Sequence, residues 1–527
     1  MSNEGKQTAI WSALTNPIFR SLWVANVVSG IGGTMHDTAA VWTMTTMTTS
    51  PTLVGLMQTM TALPLFLFAL PAGALADIVN RRRQIIFAQV SSLAGAVVLA
   101  AVTWHGNLSA YLLLALTFLL GIGTAFTTPP WQALMPEIVR KEDISSAVTL
   151  GGIGVNVSRA IGPIIGGVLV AATGPAVVFL LNALSFVGVI FVLWRWKETS
   201  ATRPQNPERM LGAMQAALRF TKHSPVVRAV LARNALFVLF AISIIAVLPL
   251  RVKELHLEAT DFGILMGCYG VGGILSAFVV LPYLRRKMGL DAMLLMTAAV
   301  STGAIITLGL VQNRAAMMIV LFIAGSSWLM SVSSFSVAGQ NAYPRWVRAR
   351  SSAVQLLVFQ AALGIGGLIW GAVTSYSDTS TALLSAGAGL ALTAMVSRFL
   401  SIGATEELDL TPSQHWSPHT LSTEPGPDDG PIMVALTYEV LPENEAKFRE
   451  AMHQMRLIRL RDGAVRWLLS KSLDNDRLFR ESFVVDSWGE HLRQHARATA
   501  ADKKIEDAAL AFTVQGAKVE HYLLVES

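Results

Sequence analysis

The chain has 527 residues, of which 53% are hydrophobic and only 14% charged, and it carries a net charge of +6. Soluble globular domains hold about 25% charged residues, so this composition excludes a wholly soluble protein. A single cysteine, Cys268, excludes an internal disulfide framework and any cysteine-based zinc or iron–sulfur site.

The first twenty residues, MSNEGKQTAIWSALTNPIFR, are polar and lack a short apolar core ahead of a small-residue cleavage site. No removable signal peptide is expected. A membrane-spanning helix needs about 20 mainly apolar residues. Twelve segments qualify, at roughly 19–44, 52–77, 84–104, 108–133, 144–172, 175–195, 227–250, 260–284, 290–311, 315–342, 350–374 and 380–402. The Lys and Arg residues concentrate in every second short loop: Arg81, Arg82 and Arg83; Arg140 and Lys141; Arg285, Arg286 and Lys287; Arg345 and Arg348. The long connection after the sixth segment adds Arg195, Lys197, Arg203, Arg209, Arg219 and Lys222, while the odd-numbered loops hold only Arg251, Lys253 and Arg314. That bias places the basic loops and both termini in the cytoplasm. It also accounts for the basic net charge without nucleic acid.

The expected organisation is a six-helix half over 1–195, a cytoplasmic connection over 196–226, a second six-helix half over 227–402, a linker over 403–430 and a soluble domain over 431–527. Met210, Met214, Ala217 and Phe220 recur at helical spacing in the connection, which predicts an amphipathic helix at the membrane surface. The halves repeat: PEIVRKEDISSAVTL (136–150) is similar to PRWVRARSSAVQL (344–356), IGPIIGG (161–167) to IGGLIWG (365–371), and VGLMQTM (54–60) to FGILMGC (262–268). Duplicated membrane units of this kind are a transporter architecture, with the substrate site near the bilayer midplane between the repeats. The linker is rich in Pro, Ser, Thr, Gly and Asp. The tail after it alternates as strand, helix, strand, strand, helix, strand, with one long second helix read over GEHLRQHARATAADKKIEDAA. That order is a ferredoxin-like unit.

PAGALADIVNRRR (71–83) ends the second segment with one acid before three arginines. A carboxylate at a helix C-terminus is unfavourable unless paired. The stretch resembles the loop motif Gly-x-x-x-Asp-Arg-x-Gly-Arg-Arg/Lys of the major facilitator superfamily. Gly73, Asp77, Arg81 and Arg82 match it, while Ile78 and Asn80 depart from it. The resemblance implies that these four residues act as a cytoplasmic latch favouring an outward-facing state. SRAIGPIIGG (158–167) resembles the Gly-Pro-x-x-Gly-Gly pattern of exporters in the same superfamily, carried here by Gly162, Pro163, Gly166 and Gly167. The basic residue usual in the fourth helix is absent, Thr117 standing in its place. Over about 400 residues the chain is similar to the enterobactin-exporter-like, transmembrane secretion effector branch of that superfamily.

Intramembrane charge is costly and marks function by default. Asp37 is the acid deep in the first half and Arg159 is an arginine two turns into the fifth segment. Together they are expected to couple transport to protons, Asp37 taking the proton and Arg159 setting its affinity. Asn26, Gln132, Asn234 and Gln340 lie on helices 1, 4, 7 and 10, which line the cavity in this fold, and Trp42 and Trp131 add aromatic surface for a bulky ligand. No phosphate-binding Gly-x-x-x-x-Gly-Lys-Ser/Thr stretch occurs, so ATP-driven pumping is disfavoured, and no metal-spaced cluster or cofactor pattern stands out. The tail resembles small antibiotic-biosynthesis-monooxygenase-type domains, including their Trp and His at Trp488 and His495. That likeness implies self-association through the sheet, with His495 read as a partly buried helix residue rather than a catalyst.

The fold expected is therefore an all-α membrane protein of twelve helices in two six-helix repeats, the major facilitator fold, plus a small C-terminal α+β ferredoxin-like domain. The function expected is secondary export of a siderophore-like or drug-like small molecule across the inner membrane by proton antiport, without enzymatic activity or cofactor. Two alternatives stay open here: an importer of the same fold, and a membrane-tethered enzyme using the tail.

Overall fold

The structure, a computed structural model, describes residues 11–196, 210–397, 400–406, 408–413, 416 and 425–525. The side chain of Asp77, parts of the connection over 196–226 and much of the linker over 403–430 lie outside the described residues.

The first half comprises α1 (Pro17–Met47), α2 (Pro51–Ile78), α3 (Arg81–Trp104), α4 (Ala110–Ile138), α5 (Ile144–Thr173) and α6 (Pro175–Arg195). Local chemistry sets the starts. Asn16 caps α1, its Oδ1 accepting from the backbone of Ile18 at 2.9 Å and Phe19 at 3.2 Å, with Pro17 at the first helical position. Asn80 does the same for α3, accepting from Arg83 N at 3.0 Å. One of the two residues that depart from the loop pattern thus starts the third helix.

After α7 (Met210–His223), the second half comprises α8 (Pro225–Ala241), α9 (Ser243–Glu254), α10 (Ala259–Leu275), α11 (Leu281–Arg285), α12 (Leu290–Leu310), α13 (Arg314–Ala342), α14 (Arg348–Tyr376) and α15 (Thr379–Ser397). Two expected single spans are interrupted. α8 gives way to α9 at Ile242, and a π-helical turn over Ser276–Val280 separates α10 from α11. Trp370 Nε1 donates to Leu239 O at 2.7 Å, the carbonyl four residues before Ser243, and so occupies an acceptor beside the first break. Among the described residues, eleven spans, counting α8 with α9 and α10 with α11 as one each, are long and apolar enough to cross a membrane. α1, at 31 residues, has the length but carries a more polar sequence.

The described chain forms two compact bodies. The membrane body takes in Met1–Gln205, Arg233–Ser334 and Leu356–Phe399, and the tail body Asn206–Ala232, Phe335–Gln355 and Leu400–Ser527. The tail body contains β1 (Ile432–Glu439), α16 (Glu445–Asp462), β2 (Arg466–Lys471), β3 (Leu478–Val485), α17 (Trp488–Arg497), α18 (Ala500–Leu510) and β4 (Lys518–Leu523). Its sheet is antiparallel throughout, in the order β2-β3-β1-β4. Helical segments lie between β1 and β2 and between β3 and β4. The single second helix read from the sequence is two. Thr499 starts α18 with a reciprocal cap, its Oγ1 facing Asp502 N at 3.3 Å while Asp502 Oδ2 accepts from Thr499 N at 3.0 Å.

Phe448, Met452 and Met455 of α16 pack on Val434, Leu436, Tyr438, Phe479 and Phe483 of the sheet. Inside this core Glu481 is fully buried. It accepts from Tyr438 Oη at 2.7 Å, Trp467 Nε1 at 2.8 Å and Arg459 Nε at 3.2 Å, so a buried charge is paired and hydrogen-bonded. The apolar face of α7, formed by Ala216, Ala217 and Phe220, is buried within the tail body, where α7 packs on α16. The helical period of this segment therefore serves a protein partner.

Candidate functional site: a polar cavity in the first half

α1 presents Asn26, Gly30, Gly33 and Asp37 to a cavity, at steps of four, three and four residues that keep one helical face. Its opposite side carries Met35, Ala39, Ala40 and Met44 into the core. α4 adds Thr124, Trp131 and Gln132, and α6 adds Asn182. The cavity measures about 790 Å³. It runs from Phe19, Met135 and Ala147, near one end of α1, α4 and α5, to His36, Asp37 and Thr61 midway along α1 and α2. Asp37 is exposed to it and makes no hydrogen bond or ion pair among the described residues. Arg159 is not among the lining residues, yet its charge acts on Asp37, and Tyr269 of α10 lies within the same field.

The other sequence-derived candidates are distributed. Asn234 is buried on α8 with its Oδ1 unpartnered, and Gln340 is exposed on α13, donating to Ser336 Oγ at 3.5 Å. Trp42 lies away from the cavity, stacked on Phe262 with ring centroids 5.8 Å apart. So the structure gathers Asn26, Asp37, Trp131 and Gln132 in one cavity and leaves Trp42, Asn234 and Gln340 outside it.

Trp42 belongs instead to a closed seam at the end of the bundle that holds the 48–50 connection. There the halves meet backbone to backbone. A Cβ on Gly55 of α2 would lie 2.3 Å from Gly367 O and 2.8 Å from Gly371 Cα of α14; a Cβ on Gly263 of α10 would lie 2.6 Å from Pro163 O and 2.8 Å from Gly167 Cα of α5. Neither space admits a side chain, and so glycine is required. These two contacts are copies of one another under the internal repeat. Gly162 and Gly166 of the same stretch face α1 instead, where a Cβ would meet Thr34 Oγ1 at 1.9 Å and Met35 O at 2.9 Å. The seam is joined by Thr59 Oγ1 donating to Gly364 O at 2.7 Å and by Lys253 Nζ donating to Thr45 O.

At the opposite end, Gly73 passes Pro129, its Cβ position 3.9 Å from that ring. Arg81 forms an ion pair with Glu137 at the end of α4. Arg82 donates to Leu193 O at 2.6 Å and Trp194 O at 2.7 Å, satisfying carbonyls at the C-terminus of α6. The described partners of Arg81 and Arg82 all lie in the first half.

Sequence reasoning missed His36 and Glu137. His36 is 3% exposed, lies 5.0 Å from the Phe179 ring and has no partner for either ring nitrogen. No spacing marks it, because it sits on the buried side of the stripe that Asp37 ends. Glu137 had a signal, an acid at a helix end facing three arginines across one loop. Among the described residues, no group of three or more His, Cys, Asp or Glu is arranged to hold a metal ion.

A family model described as transmembrane secretion effector matches residues 8–527. The enterobactin exporter of Citrobacter koseri is 26% identical over 398 residues, covering 73% of this chain and 89% of that protein. The staphyloferrin A transporter of Staphylococcus aureus is 25% identical over 241 residues, covering 45% of this chain and 60% of that protein. Among solved structures, a nucleoside transporter superposes with a TM-score of 0.62 at 11% identity, covering 73% of this chain and 99% of that one. An inward-facing, unoccupied bacterial homologue of the human lysosomal transporter Spinster superposes with a TM-score of 0.58 at 15% identity, covering 76% and 98%. At these identities the solved structures bear on the fold alone.

Proposed function

The chain belongs to the transmembrane secretion effector family, a multi-pass membrane transporter of the major facilitator type, and from that premise we propose that it exports a siderophore-like or other bulky drug-like small molecule by proton antiport. The observation that carries this reading is the cavity of about 790 Å³ holding an exposed, unpaired carboxylate, Asp37, while the glycine seam closes one end of the bundle. Pockets for drug-sized ligands run from about 300 to 1,000 Å³. The similarity to an enterobactin exporter and a staphyloferrin A transporter supports the substrate class.

In this reading the arginine-bearing loops and both termini face the cytoplasm of a cell with an inner membrane. The state described, closed at the 48–50 end, is then inward-facing. Substrate enters from the cytoplasm against Asn26, Trp131 and Gln132. Asp37 carries the proton, and Arg159 competes with that proton for the carboxylate. The halves 1–195 and 227–402 rock about the seam, with 196–226 joining them and 403–430 tethering the domain 431–527. Gly73, Asp77, Arg81 and Arg82 latch the cytoplasmic end in the outward-facing state. In the inward-facing state Arg81 and Arg82 rest on their own half, which fits a latch that is undone. Asp77→Ala should then raise the inward-facing population, read as lower labelling of cysteines placed on the extracellular side; unaltered labelling removes the latch. The likeness of the tail to antibiotic-biosynthesis-monooxygenase-type domains supports self-association through its sheet, which sedimentation of the purified transporter would measure.

Transport by inside-out vesicles tests the main reading. With enterobactin as probe, acidifying the vesicle interior should drive its accumulation, and a protonophore should abolish it. Uptake by right-side-out vesicles instead would make the protein an importer.

A further inference from the structure

The tail body holds a second pocket, of about 360 Å³, between the sheet and its helices. Its floor is apolar: Val434 and Leu436 of β1, Phe483 of β3, Val519 of β4 and Leu510 of α18. Its polar pole comes from three imidazoles. His491 Nε2 lies 3.0 Å from His521 Nε2 and 3.3 Å from His495 Nε2. Beside them Gln494, 3% exposed, lines the pocket, and its Nε2 has no hydrogen-bond partner. A buried amide donor without an acceptor is costly, and an acceptor atom in the pocket would recover that cost.

The charges argue for a neutral occupant. Arg459 is committed to Glu481 at 3.2 Å and Glu506 at 3.7 Å. Lys503 and Asp507, one turn apart on α18, bring the pocket one charge of each sign. A carboxylate would meet Glu506 and Asp507 with no uncommitted excess of cations. A hydroxyl on an aromatic ring suits the site better, since it accepts from Gln494 Nε2, exchanges a hydrogen bond with an imidazole and lays its ring on the apolar floor. The volume admits one or two rings.

The pocket is also wired to the connection between the transporter halves. His491, Gln494 and His495 occupy one face of α17; Glu490, Arg493 and Arg497 occupy another. Glu490 Oε1 accepts from Arg219 of α7 at 3.0 Å and from Arg497 at 2.7 Å, and Glu490 Oε2 accepts from Arg493 at 2.8 Å. Arg497 lies over the Trp346 ring at 4.5 Å, in the connection between α13 and α14, and Arg461 over the Phe220 ring of α7 at 5.6 Å. One ten-residue helix thus touches the pocket with one side and, with the other, both α7 and the α13–α14 connection.

We infer that this pocket is a sensor site for a small neutral hydroxylated aromatic molecule, and that α17 relays its occupancy to α7. The inference stands whichever way the transporter runs. The test uses the full chain in nanodiscs and methyl 3,4-dihydroxybenzoate as probe, with 3,4-dihydroxybenzoate as its charged counterpart. Calorimetry should show the ester binding at least about tenfold more tightly than the acid. Gln494→Leu, and independently Val519→Trp, which fills the pocket from β4, should each weaken the ester about tenfold or more. Asn26→Ala with Gln132→Ala, in the membrane cavity, should leave it unchanged. Hydrogen exchange of α7 amides should change on adding the ester to the parent chain and not to Gln494→Leu. Undiminished binding in both pocket variants, equal affinity for the acid, binding of zinc alone, or α7 exchange indifferent to bound ester would each overturn the proposal.

Discussion

The first half of the membrane body leaves a carboxylate open inside its cavity, and the second half buries and pairs two arginines. Asp37 is open to the cavity, with Arg159 acting on it from α5. In the second half, Arg233 is 6% exposed and paired with Asp291, and Arg251 is 3% exposed among Glu254 at 3.3 Å, Thr379 Oγ1 at 3.3 Å and Gly309 O at 3.2 Å. Yet the two halves share one contact in duplicate, Gly55 on Gly367 and Gly371, and Gly263 on Pro163 and Gly167. Duplication preserved the geometry by which the halves touch and released the chemistry inside each. The tail body extends the asymmetry, since besides the residues after 400 it takes in α7, the start of α8, and the end of α13 with the start of α14, none of them from the first half.

Four measurements press on that contrast. The largest effect belongs to the shared contact. Gly55→Val and Gly263→Val should each abolish transport, because the added atoms meet backbone that cannot yield, and should lower stability by about 1–3 kcal/mol. Gly33→Ala, with nothing within 4 Å of its Cβ position, should behave as the parent. Unequal losses for the two valine variants would break the symmetry argued here. Next comes the chemistry confined to one half. Asp37→Asn should reduce proton-driven flux at least about tenfold while leaving membrane insertion intact; an unchanged pH profile would take Asp37 out of the mechanism.

The third effect concerns the tail body. Burial alone would raise the Glu490 carboxyl, but hydrogen bonds and charge from Arg497, with Arg493 and Arg219, hold it below the ordinary glutamate range. A depressed value stabilises the folded state above that range and is lost as pH falls through the folded value. Arg219–Glu490 docking should therefore loosen below about pH 4 and not between pH 5 and 8. Hydrogen exchange of α7 against pH measures this, and Glu490→Gln should flatten the response. The smallest effect is expected at the partly exposed Arg81–Glu137 pair. Such pairs contribute about 0.2–1 kcal/mol, so Arg81→Ala should move the inward/outward ratio, read by single-molecule distances, by less than about fivefold.

Much of this was legible in the residues themselves. The quoted repeats VGLMQTM/FGILMGC and IGPIIGG/IGGLIWG contain Gly55, Gly263, Gly167 and Gly371, the seam itself, because a close backbone approach writes glycine into both copies. The succession of four strands along the tail followed from alternation alone. Other features need the third dimension. Asn26 and Gln132 face one cavity while Asn234 is buried elsewhere, a matter of helix rotation that polarity does not encode. The period of α7 identified an apolar face without saying whether lipid or protein would cover it. The break between α17 and α18 was written in Thr499 and Asp502, a cap signal inside an otherwise continuous helical pattern. His36 left no trace, since a lone histidine beside a conspicuous aspartate reads as neither core nor site.

The seam between the halves has one further consequence. Its backbone contacts come from Gly55, Gly367, Gly371, Gly167, Gly263 and the carbonyl of Pro163, none of which has a side chain that titrates, oxidises or accepts a modification, and Thr59 and Lys253 join it only as donors to carbonyls. That door has hinges and a jamb but no handle. Whatever opens it, a proton, a substrate or a message from the tail, has to push from the far end of the helices, and rigid helices are what deliver the push.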